Sequence, residues 1–351
     1  MLNDKRKKLL FFAKVADKKI LSDVSFYEQD IRALEEMGFE VKVSNEFKDL
    51  FFSQYDVLYV WWWTYSLLPI VVSFFKGAKC VVAGAFHYAT PLMSGTDFVR
   101  RSWLYKKLIG IALRTAHMNI FVSGCEYDAV VNNLKVNNPR LVYHGIDTDL
   151  YSPLVQSAPV DDNSSEMPVL LCISWMEKNN IERKCIREVV QALEILYERG
   201  VEAKLLLVGR PGPGYEEFKA FVSTMRCSGN IEFKGHVTEE EKINLLRRAT
   251  VYVSPTLYEG FGIAIAEALA VGCPVITSKN GAVPEVVGRC SLFVDPLSPA
   301  SIAQAIEYLL LNPENRLRLG RLGRRRVVNR YSYRKHSQRL AEAVLSLPGI
   351  D

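Results

Sequence analysis

Apolar positions along this chain fall into two alternating patterns: short runs of β-branched, leucine and aromatic residues, and longer stretches with apolar residues on a rough helical period. In the first half, residues 8–14, 41–43, 57–62, 80–83, 119–122 and 141–143 read as short buried strands. Residues 25–37 carry Phe26, Ile31, Leu34 and Met37 at helical spacing and stop at Gly38. The second half repeats this grammar, with strands at 169–173, 204–208, 231–233, 251–253, 275–277 and 292–294 and an amphipathic helix over 186–197 ended by Gly200. Strands separated by helix-length segments imply βαβ units and parallel sheets. Between the halves, residues 151–168 turn polar, with Ser, Asp, Asn and Pro dominant, which marks a linker. The expected architecture is α/β, with two Rossmann-like parallel-sheet domains facing a cleft. Residues 1–150 form the N-terminal domain, 169–330 the C-terminal one, and 331–351 a C-terminal helix expected to pack back on the N-terminal domain. Open sheets of this kind take ligands at the carboxyl ends of their strands.

Composition narrows the class. With 351 residues, 49% hydrophobic and 24% charged, the chain suits about two soluble globular domains. Its seven cysteines are scattered, with no CxxC pair or Cys-His cluster, so they read as reduced thiols of a cytosolic protein. The basic start at Lys5–Lys8 leads into only a short apolar run, unlike a cleaved signal. The longest apolar run, 57–75, is interrupted by Thr64, Ser66 and Pro69 and begins as a strand, so a spanning helix is not expected.

The formal charge of +5 is unevenly spread. Residues 315–341 hold ten Lys and Arg and no acid, and residues 100–114 alternate Arg101, Lys106 and Lys107 with Trp103, Leu104, Leu108, Ile109 and Leu113. Two readings of the 100–114 helix stay open: it lies on an anionic membrane surface, or it buries its apolar stripe and solvates its charges. The expected location is cytoplasmic, with peripheral attachment to the cytoplasmic membrane face under the first reading. No nucleic-acid motif accompanies the charge, so nucleic acid is not an expected partner.

Candidate chemistry concentrates in residues 251–287. A short strand leads into a turn carrying Ser254, Pro255 and Glu259. Gly260 and Gly262 flank Phe261, and an alanine-rich helix follows from Ile263 to Val271, stopped by Gly272. A glycine-bearing turn at a helix start presents unpaired N–H groups and a positive dipole end, a place for phosphate. Glu259 and Glu267, eight positions apart, suit hydroxyls of a ligand lying across that start. Spacing alone also fits glycines that merely shape the turn and glutamates that face solvent.

The residues Glu259, Gly260, Phe261, Gly262 and Glu267, with Glu-Ala-Leu-Ala-x-Gly-x-Pro-Val at 267–275 and Gly-Ala-Val-Pro-Glu at 281–285, closely resemble the signature of retaining glycosyltransferases of the two-Rossmann-domain (GT-B) type, glycosyltransferase family 4 or group 1. The phrase His-Gly-Ile-Asp at 144–147 resembles the family's Asn-Gly-Ile-Asp, with His144 in place of Asn. The resemblance implies a nucleotide-diphosphate sugar donor and a hydroxyl acceptor, glycan or lipid-linked. It implies no cofactor and no metal, although Asp147-Thr148-Asp149 mimics the metal site of the other glycosyltransferase fold. By the same resemblance Lys184, beside Arg183, holds the diphosphate, Glu259 the sugar, Glu267 the ribose, and His87 touches the transferred sugar. Gly209, Arg210, His236 and Val237 line the base pocket, and main-chain groups of Gly260, Phe261, Gly262 and Ile263 fix the sugar.

Two departures stand out. Ser174-Trp175 replaces the family's Gly-Arg, leaving Arg183 as a candidate for the missing guanidinium, and no glycine-rich loop follows the first strand at Asp23, Ser25 and Phe26. The second departure points to an acceptor-side role for the first domain. Two alternatives remain on the same architecture: a sugar-nucleotide epimerase, and a catalytically silent nucleotide-sugar binding protein or membrane adaptor.

Overall fold

The computed structural model describes residues 6–93, 97–154 and 167–350. The chain divides into two compact units: residues up to Gly145 together with those from Tyr333 onward, and Ile146–Ser332 between them.

The first unit is built on a six-stranded parallel sheet of order β2-β1-β3-β4-β5-β6, with β1 Lys8–Ala13, β2 Glu40–Ser44, β3 Val57–Trp61, β4 Lys79–Gly84, β5 Met118–Phe121 and β6 Pro139–Leu141. Its central strands are continuous apolar runs because helices cover both faces. Alternate residues feed two cores. Leu9, Phe11, Tyr59 and Trp61 pack with Ala33, Leu34, Leu340 and Val344, while Leu10, Phe12, Leu58 and Val60 pack with Ile70, Val72, Ala112 and Leu113. The apolar stretch after β3 is not one extended element: Leu67–Phe75 is a helix.

The helix Tyr333–Leu345 belongs to the first unit, where it packs on the helix Ser25–Glu36. A buried polar cluster fixes it there. Asp30 accepts from Tyr59 Oη (2.8 Å) and Trp61 Nε1 (2.9 Å), and its other oxygen lies 3.0 Å from His336 Nε2. His144 stacks on Trp61 at 5.9 Å, and burial pushes its pKa down to about 3, against the pull of Asp30. Between roughly pH 6.5 and 3 the unfolded chain takes up a proton at His144 that the folded chain refuses, so stability falls as pH drops through that window, by about 1.4 kcal/mol per pH unit. Urea melts followed by tryptophan fluorescence should show this slope between pH 6.5 and 5, and His144→Asn should flatten it.

The second unit holds another six-stranded parallel sheet, order β12-β11-β10-β7-β8-β9, with β7 Val169–Ile173, β8 Lys204–Val208, β9 Ile231–Gly235, β10 Val251–Ser254, β11 Val275–Thr277 and β12 Ser291–Phe293. Eleven of the twelve strands overlie the apolar runs expected of them, whereas β6 lies two residues earlier than the expected 141–143 and shares only Leu141 with it; each unit is Rossmann-like.

The domain boundary is earlier than the polar composition suggests. It falls between Gly145 and Ile146 rather than after residue 150, and the chain leaves the second unit after Ser332. The reason is hydrogen bonding. Ile146 N donates to Tyr331 O (2.7 Å), Arg324 donates to the carbonyls of Thr148 (2.8 Å) and Tyr151 (2.6 Å), and Arg247 Nε donates to Ser152 O (2.7 Å). Of the expected linker, residues 155–166 lie outside the described residues. The seven cysteines are free thiols, buried except for Cys125. Among the described residues no helix is long and apolar enough to cross a membrane.

Candidate active site

In the second sheet the strand order reverses between β7 and β10: successive strands run to β8 and β9 on one side and to β11 and β12 on the other. Such a switch point opens a crevice outside the carboxyl ends of the two strands. The loops leaving those ends carry the charged residues singled out by sequence.

From β7 the chain passes Ser174 and the exposed Trp175 into the short helix Lys178–Arg183, then turns at Lys184 and at Cys185, whose φ is 49°, into the helix Ile186–Glu198. From β10 it runs through Glu259 to Gly262, which caps the helix Ile263–Ala270 with φ 91°. The two loops are laced together. Leu257 N donates to Arg183 O (2.7 Å), and the Thr256 hydroxyl donates to the same carbonyl (3.1 Å). This lacing sets Arg183 and Lys184 opposite Glu259: Arg183 Nη1 is 2.9 Å and Lys184 Nζ 3.4 Å from Glu259 Oε1.

Gly281 supports the cluster from behind. Its φ is 60°, a Cβ there would come within 2.3 Å of Glu259 O, and Ala282 N donates to that oxygen (2.9 Å). Gly209 does the same service for the β7 loop, since a Cβ on it would meet Ser174 O at 1.6 Å.

Burial on its own raises the Glu259 pKa, but Lys184 and Arg183 outweigh it and hold the carboxyl below its ordinary value, so it is ionised at neutral pH. The aligned hydrogen bonds of Arg183 go elsewhere, from Nη1 to Tyr258 O (2.8 Å) and from Nη2 to Asn180 Oδ1 (2.9 Å). Glu259 Oε1 therefore sits in the field of two cations yet accepts no aligned hydrogen bond. A buried acceptor in that state is ready for an incoming donor such as a hydroxyl.

Glu267, buried in the second turn of its helix, does not join this cluster. Its Oε1 is 3.1 Å from Lys242 Nζ, on the helix Glu239–Arg248. Lys242 also reaches Glu239 (2.9 Å) and lies over the Tyr151 ring, whose hydroxyl donates to Glu239 Oε1. Burial lowers the Lys242 pKa, but the carboxylates of Glu267 and Glu239 overcome it and raise the value. Sequence reasoning missed both Lys242 and Tyr151, the latter placed at the start of the expected linker.

Phe261 buries its ring edge-on against Tyr331 at 5.5 Å, so its side chain anchors the turn between Gly260 and Gly262. Gly209 with exposed Arg210, and exposed His236 with Val237, follow β8 and β9 farther along the same carboxyl edge. Asp147 Oδ1 accepts from the main chain of Asp149 (3.2 Å) and Leu150 (3.0 Å), which makes it a turn residue.

The profile described as "Glycosyl transferases group 1" matches residues 174–326, the stretch that holds this cluster and both glutamates. This stretch of the chain is similar to the group 1 glycosyltransferase domain. An MMP alpha-(1->4)-mannosyltransferase of Mycolicibacterium hassiacum is 28% identical over 261 residues, covering 72% of this chain and 58% of that protein. A GDP-mannose-dependent alpha-(1-6)-phosphatidylinositol monomannoside mannosyltransferase of Mycolicibacterium smegmatis is 28% identical over 210 residues, 56% of this chain and 54% of its own length. The chain thus spans little more than half the length of these curated relatives. Among solved structures, sucrose-phosphate synthase of Thermosynechococcus elongatus superposes with a TM-score of 0.77 at 18% identity, over 97% of this chain and 99% of that one. Anabaena HepE in complex with UDP superposes at 0.76 and 17% identity, over 97% and 100%. These likenesses establish the GT-B fold.

His87 lies outside the matched stretch, in the first unit. It follows β4 in a loop that lines a cavity of ≈ 190 Å³ with Trp63, Phe86, Phe98, Arg101 and Tyr105. Its Nε2 is 4.0 Å from Glu126 Oε1, and Glu126 Oε2 accepts from Phe86 N (2.8 Å). Glu126 is a third residue that sequence reasoning missed. Ser123 caps the helix start, and the glutamate side chain turns inward to hold the histidine loop.

Proposed function

We propose that this chain transfers a sugar, with retention of anomeric configuration, from a nucleotide-diphosphate donor to a hydroxyl acceptor, glycan or lipid-linked. The observation that carries the reading is the Arg183–Lys184–Glu259 cluster at the switch point, with a buried Glu259 oxygen that lacks an aligned hydrogen bond. In the donor complex the diphosphate competes for Lys184 and Arg183, which releases Glu259 to the sugar hydroxyls. Lys184 and the N-terminal N–H groups of the helix Ile263–Ala270 stabilise charge on the leaving diphosphate through preorganised donors, without a metal. Glu267, held by Lys242, accepts from the ribose hydroxyls; a carboxylate has about four lone-pair sites and Lys242 occupies one. Same-face attack, in which the departing phosphate takes the acceptor proton, needs no protein nucleophile. Arg210, His236 and Val237 line the base pocket.

Several relatives are described as mannosyltransferases, five of them as GDP-mannose-dependent, so GDP-mannose is the first donor to test. Purified protein should release nucleotide diphosphate from GDP-mannose or another sugar nucleotide only when an acceptor is added, and do so in the presence of EDTA. NMR of the product should show the donor's anomeric configuration. An inverted product would remove the retaining mechanism. Conversion of the sugar nucleotide to its epimer without acceptor would replace transfer by isomerisation.

A further inference from the structure

The helix Leu67–Phe75 is apolar apart from the buried Ser73, whose hydroxyl donates to Ile70 O, yet only one side of it is buried. Pro69, Ile70 and Val72 face the core, while Leu68, Val71, Phe74 and Phe75 form an outward stripe at helical spacing. Phe74 and Phe75 are 76% and 82% exposed. A water-facing helix of a soluble unit carries polar residues on that side. The neighbouring helix Lys48–Phe52 ends in the same way, with Phe52 86% exposed beside the exposed Phe51. Lys76 ties the two phenylalanine pairs into one ridge by donating to Phe51 O (2.8 Å) and Ser53 O (2.8 Å). The next helix in the layer, Trp103–Thr115, buries Ile109, Ala112 and Leu113 but leaves Trp103, Leu104 and Leu108 outside. It thus combines both readings of its sequence, with one apolar stripe in the core and a second in solvent.

Charge identifies the occupant. From Val57 to Cys125 the chain has seven Lys and Arg and a single acid, Asp97, while Asp49, the one acid of the helix Lys48–Phe52, is paired with Lys42 (2.9 Å) and Ser44. Asp97 is fully buried and accepts from Thr90 and from Arg100 N, so it adds no negative charge to the face. At the ridge end, Arg6, Lys7, Lys8 and Lys76 line a cavity of ≈ 450 Å³ with Tyr55 and Asp56. Two copies of the chain meeting on this face would oppose like charges, which disfavours self-association. The arginine-rich segment 315–341 is a weaker candidate, since Arg316, Arg324 and Arg326 donate to main-chain carbonyls of their own unit.

We infer that the outer face of the helices Lys48–Phe52, Leu67–Phe75 and Trp103–Thr115 docks on an anionic lipid bilayer, with Phe51, Phe52, Phe74 and Phe75 inserted among the acyl chains. Basic residues around apolar insertions suit phospholipid headgroups. The two phenylalanine pairs lie at the ends of helices that lead into β3 and β4, hence at the amino edge of the sheet. Trp103 begins its helix at the carboxyl edge, where Arg101, Tyr105 and His87 line the acceptor-side cavity. The docked face therefore runs up to that cavity and would bring a lipid-linked hydroxyl to it. Delivery of such an acceptor rests on the transfer reading, whereas docking does not.

Vesicle flotation without nucleotide tests the docking. The full chain should float with phosphatidylcholine vesicles containing phosphatidylglycerol, should not float with phosphatidylcholine alone, and should lose binding as salt rises. Phe74→Ser/Phe75→Ser should weaken flotation at least about tenfold while nucleotide binding holds. Lys107→Glu/Arg114→Glu should weaken it similarly without touching the ridge, which covers the case of a misfolded phenylalanine variant. Absence of flotation at low salt, unchanged flotation in both variants, or a wild-type dimer that the phenylalanine variant converts to monomer would overturn the inference. None of these outcomes bears on sugar transfer in solution.

Discussion

Replacing Lys184 with alanine is expected to cut sugar transfer by roughly 10²–10³-fold, the usual cost of removing one preorganised donor from the place where charge develops. Lys184 Nζ sits between the end of β7, 3.4 Å from Ile173 O, and Glu259. Truncation removes the cation that would face the diphosphate and leaves Glu259 paired with Arg183 alone. Nucleotide-diphosphate affinity should fall together with transfer, because the diphosphate meets this charge in both states. Steady-state rates and calorimetry on the same preparation check the pair of effects. Wild-type rates in the variant would take Lys184 out of the site and leave Arg183 as the diphosphate ligand.

Glu259→Gln should behave in the opposite way on binding. Transfer should again fall by about 10²-fold or more, since the carboxylate holds the sugar in place for reaction. Nucleotide-diphosphate binding should be kept or tightened, because the substitution removes a negative charge that competes for Arg183 and Lys184. No other site residue is expected to separate the two quantities in this direction. The change also costs stability. Loss of one partner from a buried ion pair is worth about 3–5 kcal/mol, less here because Arg183 and Lys184 are 21% and 15% exposed and solvent takes up part of the loss. The pH dependence follows from the lowered pKa of Glu259. Its pairing stabilises the second unit above the unfolded value of about 4.5 and is lost as pH falls through the lower folded value. The wild-type rate should therefore show no acid limb from Glu259 above pH 5.

Much of this was legible in the sequence because its signals are local. Each strand is a short apolar run between polar or glycine stops, and the Glu259–Glu267 stretch carries its glycines and prolines at fixed offsets. The order of the strands is not local, so the switch point that explains why β7 and β10 bring Lys184 to Glu259 emerged only from the fold. Lys242 and Tyr151 stayed hidden for a similar reason, as they reach Glu267 from another helix and from the segment after Gly145. The helix Leu67–Phe75 was masked by its own composition: within the continuous apolar run 57–75 neither a period of 2 nor one of 3.6 stands out. The arginines of 315–341 look like surface charge in one dimension, yet Arg324 spends its donors on the carbonyls of Thr148, Tyr151 and Ala270. That bonding also moves the domain boundary away from the polar segment.

Calorimetric titration of UDP, GDP and ADP, each with and without magnesium, into the wild-type chain and Glu267→Ala tests the donor site most directly. The site described predicts selective binding of one nucleotide, unaffected by magnesium and weakened in the variant by loss of the ribose contacts. Failure of all three nucleotides to bind, or equal binding by both proteins, would contradict it.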